Sequence, residues 1–135
     1  MAKRFKKPGI NQGKKIKVTE DGMKNIDYPI FCFRHLHPDY SIEKVDDNER
    51  VCFINKLYTF SKMKWQDIQL APRHGLGSEK ISKDSIKAGI PTTISADVDH
   101  FLALRYNGKK PIVGYRVGNI FHIVYIDYNF SVYKH

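Results

Sequence analysis

From Phe101 to Asp127 the chain carries three β-favouring runs, FLALRYN, KPIVGYRVG and NIFHIVYID, and a shorter FSVYKH follows them. Only Gly108, Gly118-Asn119 and Tyr128-Asn129 separate these runs. Breaks that short suit hairpins and leave no room for the crossover that parallel neighbours need. The C-terminal part is therefore expected to be an antiparallel meander. Within IFHIVYID, alternation puts Phe121, Ile123 and Tyr125 on one face and Ile120, His122, Val124 and Ile126 on the other.

Upstream the period changes. Ile30 to Phe33 are apolar on both faces, as in a strand covered from two sides, and Pro38 ends that run. In VDDNERVCFINKLYTFSKMKW, Asp46 or Asp47 caps a helix whose first turn holds Glu49, where negative charge meets the helix dipole favourably. Val51, Ile54, Leu57 and Tyr58 recur at helical spacing, with Phe53 and Phe60 widening the stripe. A shorter helix over KWQDIQLA buries Trp65 and Ile68 and ends before Pro72. The stretch SKDSIKAGIPTTISADVDH reads as a long connection. These elements predict an α+β domain over residues 27–135, with two helices packed on one face of a curved antiparallel sheet.

The 135 residues suffice for one domain with a real core, and no apolar run approaches the length of about 18 residues that spans a membrane. The basic N-terminus lacks the apolar centre of a signal peptide, so a cytoplasmic setting is expected, with Cys32 and Cys52 unpaired. The net charge of +9 is uneven. Residues 1–25 hold eight Lys or Arg against Glu20 and Asp21, with Pro8, Gly9, Gly13 and Gly22 among them. Residues 1–26 thus read as a flexible basic arm. Lys14 and Lys15 there fit a nucleic-acid partner through phosphate neutralisation, and a solubilising tail fits as well.

Standard catalytic motifs are missing: there is no glycine-rich phosphate loop, no dinucleotide turn and no nucleophile elbow. Cys32, His35 and His37 are metal-ligand types, but a closed zinc site needs a further ligand cluster. Strand alternation also sends Cys32 to the face opposite both histidines, so no metal and no cofactor is expected. The loop RHGLGSEKI is richer. Arg73 offers a bidentate fork, His74 exchanges a proton near neutrality, and Glu79 is a partner or base beside Lys80. The bland alternative is a turn in which glycines end one helix, Ser78 caps another, and the charges face water. The meander adds Arg105, Lys109, Lys110, Arg116 and His122, and Tyr115 before Arg116 pairs a stacking face with a phosphate-binding cation. His122, among apolar neighbours, also fits a hydrogen-bonded core histidine.

The order of two helices, the basic glycine loop, and arginine-bearing hairpins (LRYNGKKPIVGYR, then FHIVYIDYNFSVYKH) resembles the RelE/ParE superfamily of bacterial toxins, in particular its YoeB-type members. The same stretches are also similar to a group of small bacterial and phage proteins. The strand near residue 30, the arm and the long 82–100 connection depart from the toxin pattern. The resemblance implies a metal-independent endoribonuclease acting on RNA, including messenger RNA on the ribosome, held in check by an antitoxin-like protein partner. On that likeness Glu79 or His122 would be the base. Arg73, Arg105 and Arg116 would carry phosphorane charge, and His74 or His135 would be the acid. Lys14, Lys15, Lys80, Lys109, Lys110 and Tyr115 are the expected RNA contacts, and the alternative is a non-enzymatic nucleic-acid-binding or host-interaction protein in which the arm and the sheet arginines only hold phosphates.

Overall fold

The computed structural model describes residues 27–72 and 77–134. The proposed arm, Arg73, His74 and His135 lie outside them. Five strands form one sheet in the order β1-β5-β4-β3-β2. They are β1 (Ile30–Cys32), β2 (Ser78–Ser82), β3 (His100–Asn107), β4 (Lys110–Val117) and β5 (Ile120–Ile126). The predicted meander is present as β3, β4 and β5, each antiparallel to the next. The sheet is nonetheless mixed, because β1 runs parallel to β5 at one edge. At the other edge, β2 pairs antiparallel with β3. The helix expected after Gly77 is this strand. Its polar SEKIS sequence needs only Ile81 to face a core, as an edge position permits. Among the described residues, Phe130 to Lys134 form no fourth meander strand, and Tyr133 makes an isolated bridge with Ile86.

Two helices, α1 (Asp47–Ser61) and α2 (Trp65–Leu70), cover one face of the sheet, giving the α+β class. The Asp46 carboxylate accepts the amide of Glu49 at 2.8 Å and so starts α1 as expected. The buried stripe of α1 is Glu49, Phe53 and Phe60. Val51, Ile54 and Tyr58, expected inside, are more than half exposed. Apolar residues surround this helix on all sides, and the bulkier phenylalanines take the sheet. They pack with Trp65 and Ile68 onto Leu104, Tyr106, Ile112, Phe121 and Ile123.

Among the described residues, no α-helix covers the opposite face. Ile86, Ile90, Ile94 and Val98 of the long connection, together with Val132 and Tyr133, close over Phe101, Ala103, Val113, Val124 and Tyr125. Simple alternation in β5 fails at one point, since the register slips between Val113 and Gly114. Val124 and Tyr125 both join this second core, and Ile126 returns to the helix side. A bulge produces that switch by placing two residues against one.

Gly114 permits the irregularity. A β-carbon there would stand 2.0 Å from the carbonyl oxygen of His122. Gly114→Ala is expected to cost about 3 kcal/mol in a urea unfolding experiment, because the clash is with backbone in a packed sheet. A cost under about 0.5 kcal/mol would show that β4 and β5 are not held this closely.

Candidate functional site

The second face of the sheet is incompletely covered near the β3–β4 hairpin, and there it opens into a hollow of about 570 Å³. Glu79 lies opposite Ala103, and Arg105 is two residues further along the same face of β3, so the two side chains are diagonal neighbours. Lys109 enters from the hairpin, Lys87 from the connection, and Phe130, Tyr133 and Lys134 from the C-terminal tail. Four cations surround one carboxylate.

The tail is fixed from beneath. Asp127 is fully buried, and its carboxylate accepts the amides of Ser131 at 2.9 Å and Val132 at 3.3 Å. The Tyr40 hydroxyl and the Ser131 hydroxyl are 2.8 Å apart, which ties the turn to the β1 side of the molecule. Within this turn Phe130 takes φ 58°, alone among the described non-glycine residues. For a bulky L-residue that conformation costs about 1–2 kcal/mol.

The residues singled out in sequence divide among several places. Glu79, Arg105 and Lys109 meet in the hollow. Arg116 does not: it faces the helices, with its guanidinium carbon 4.5 Å from the centre of the Trp65 ring. Its Nε donates to the Gly118 carbonyl at 2.7 Å, and Asp27 lies 3.8 Å from its terminal nitrogen. Lys110 turns to the helix side and pairs with the buried Glu49, which also accepts the Tyr106 hydroxyl at 2.9 Å. Burial, and next the bond to Glu49, push the Tyr106 hydroxyl far above its ordinary range. Lys80 is exposed beside Ser82, Asp99 and His100, away from Glu79. Tyr115 is only 8% exposed and packs edge-on against Phe101, so its ring is not open to a base.

His122 belongs to a second cluster on the same sheet face. Its ring stacks on Tyr115 at 4.8 Å and lies 5.3 Å from His35, whose Nδ1 is 2.8 Å from the Thr93 hydroxyl. Cys32 is its neighbour in the parallel register. The turn after β1 thus brings His35 to the side expected for Cys32 alone. His37 instead caps the 3₁₀ turn at Pro38–Tyr40, its Nδ1 accepting the Asp39 amide. Among the described residues, no three His, Cys, Asp or Glu side chains gather as a metal site would require. Another hollow, of about 420 Å³, is lined by Asp97, Asp99, His100 and Arg116. Its charge balance does not favour a polyanion.

Sequence reading missed Lys87, Phe130, Tyr133 and Lys134 as neighbours of Glu79 and Arg105. The one local signal was Asp127 at a strand end, four residues before Ser131, a spacing from which a carboxylate can bind the following amides. No helix among the described residues is long and apolar enough to cross a membrane. Comparison with protein-family models, with curated proteins and with solved structures gives no match. The likeness to RelE/ParE toxins thus rests on the order of elements.

The Nδ1 of His122 is buried with no hydrogen-bond partner among the described residues. Burial, and then the positive charges of His35 and Arg34, hold this imidazole below its ordinary 6.5. The folded state keeps the ring neutral while the unfolded chain takes the proton. Stability is therefore fully retained above pH 6.5 and lost as pH falls from there through the lower folded value. Urea midpoints of the wild type should fall across that window, and those of His122→Gln should fall less. Equal slopes would remove His122 as the source.

Proposed function

We propose that the protein binds the phosphate backbone of RNA in the hollow between β2, β3 and the C-terminal tail. The observation that carries this reading is the charge there, with Lys87, Arg105, Lys109 and Lys134 set against Glu79 among the described residues that line it. A phosphate about 5 Å from one cation gains roughly 3 kcal/mol at an effective dielectric near 20, and roughly a quarter of that in bulk water. A partly enclosed cluster therefore outweighs the same lysines scattered on the surface. The eight cations in residues 1–25 add attraction of the same sign. Two unpaired cysteines accord with a reducing, cytoplasmic setting.

Glu79 favours a second reading, cleavage. A carboxylate weakens simple anion binding, but beside Arg105 it suits a base that removes the 2′-hydroxyl proton while the guanidinium stabilises the phosphorane. The 5′-oxygen then leaves, protonated by a lining ammonium or by solvent, and the product carries a 2′,3′-cyclic phosphate. This is the metal-independent chemistry the toxin resemblance implies, and an antitoxin-like protein would restrain it. In this version Arg116 and His122 are structural.

The test uses the full chain and a labelled single-stranded RNA titrated at several salt concentrations. Lys87→Ala, Lys109→Ala and Lys134→Ala combined should weaken binding at least about tenfold and reduce the salt slope by about one for each phosphate no longer neutralised. Lys14→Ala with Lys15→Ala measures the leader separately. Unchanged affinity and slope in the triple variant would contradict the proposal. On a gel, intact RNA supports binding alone. A cyclic-phosphate product that disappears with Glu79→Gln supports cleavage.

A further inference from the structure

Phe130 differs from the other walls of the hollow in three respects. Its backbone is left-handed, a conformation that glycine adopts freely and a bulky side chain does not. The residue is 41% exposed, whereas Val132 and Tyr133 of the same tail are buried. It also stands at the cationic mouth, with Lys87, Lys109 and Lys134 around it. A glycine would make this turn without strain and without showing an aromatic surface to water. The phenylalanine makes contacts within the molecule and still keeps part of its surface open at the mouth of the hollow.

An exposed aromatic ring among cations fits one kind of polyanion. In a single strand the bases are free to stack on the ring while flanking phosphates meet the ammonium groups. In a duplex the bases are already stacked and paired, and the ring has only sugar and phosphate to touch. Tyr133 and Tyr115 cannot substitute, because both are buried at under a tenth exposure. Strain held at a ligand-facing position is a recurrent property of binding turns. Resting on the RNA reading above, we infer that Phe130 is a base-stacking platform that makes the hollow selective for single-stranded over double-stranded RNA.

The experiment compares wild type with Phe130→Gly, Phe130→Leu and Phe130→Tyr in the full chain. The probes are a single-stranded RNA of about ten nucleotides, the same sequence as a duplex, and inorganic polyphosphate, which has no bases. Phe130→Gly and Phe130→Leu should bind the single strand about tenfold more weakly and polyphosphate as well as wild type, while Phe130→Tyr should retain both affinities. The urea midpoint of Phe130→Gly should equal or exceed that of wild type, since the strain is relieved. Wild-type affinity of Phe130→Leu for the single strand would overturn the inference and leave polyanion binding intact. An equal loss of polyphosphate binding would also overturn it, because the ring would then only shape the hollow. Failure of the RNA reading is seen separately, as lysine variants that lose neither ligand.

Discussion

Asp127 is a charged side chain with no solvent exposure, at the point where the last strand ends. A carboxylate in that position is costly unless hydrogen bonds to its charged form replace water. The amides of Ser131 and Val132 supply such bonds, and the Asp127 amide itself donates to the Pro111 carbonyl at 3.0 Å. The chain must therefore reverse over residues 127–132 and lie back across the sheet. That reversal seats Val132 and Tyr133 in the second core, brings Lys134 to the rim and sets Phe130 in its left-handed conformation. Without it, β2 and β3 would present Glu79 and Arg105 on an open face with no opposing wall.

The two faces of the sheet divide the work. On the helix side, polar groups are consumed by structure: Glu49 is satisfied by Tyr106 and Lys110, and Arg116 lies over Trp65. The indole Nε1 of Trp65 donates to the Asn119 carbonyl at 3.1 Å, which links α2 to the β4–β5 turn. On the other side, irregular chain covers the sheet, and it leaves a hollow beside the junction where the tail bridges to the connection at Ile86 and Tyr133. A covering helix would have closed that gap with one continuous apolar stripe. Loops can cover an apolar floor and still surround it with charge.

Much of this architecture was legible. The meander followed from β-favouring runs with breaks too short for crossovers, and the start of α1 followed from Asp46 ahead of an apolar-periodic segment. What could not be read depended on pairings distant in sequence. The parallel pairing of β1 with β5 joins residues about ninety positions apart. The orientation of α1 was ambiguous because Val51, Ile54 and Tyr58 compete with Phe53 and Phe60, and only the shape of the sheet decides between them. Arg105 and Arg116 are alike in type and sit in neighbouring strands, yet Arg105 pairs with Pro111, five residues from Arg116, so alternation along β4 puts the two arginines on opposite faces once the register is known. The buried role of Glu49 depended on Lys110, 61 residues away. Glu79 and Arg105 stand out by residue type, while the lysines and the phenylalanine around them belong to segments with no motif.

RNA binding in the hollow requires one location for the ligand. Amide chemical-shift mapping of the full chain, titrated with a short single-stranded RNA, tests it most directly. Shifts should concentrate at Glu79, Ala103 to Arg105, Lys109 and Phe130 to Lys134, with the Trp65 and Arg116 side unchanged. Shifts confined to residues 1–26, or centred on Arg116 and the helices, would contradict it.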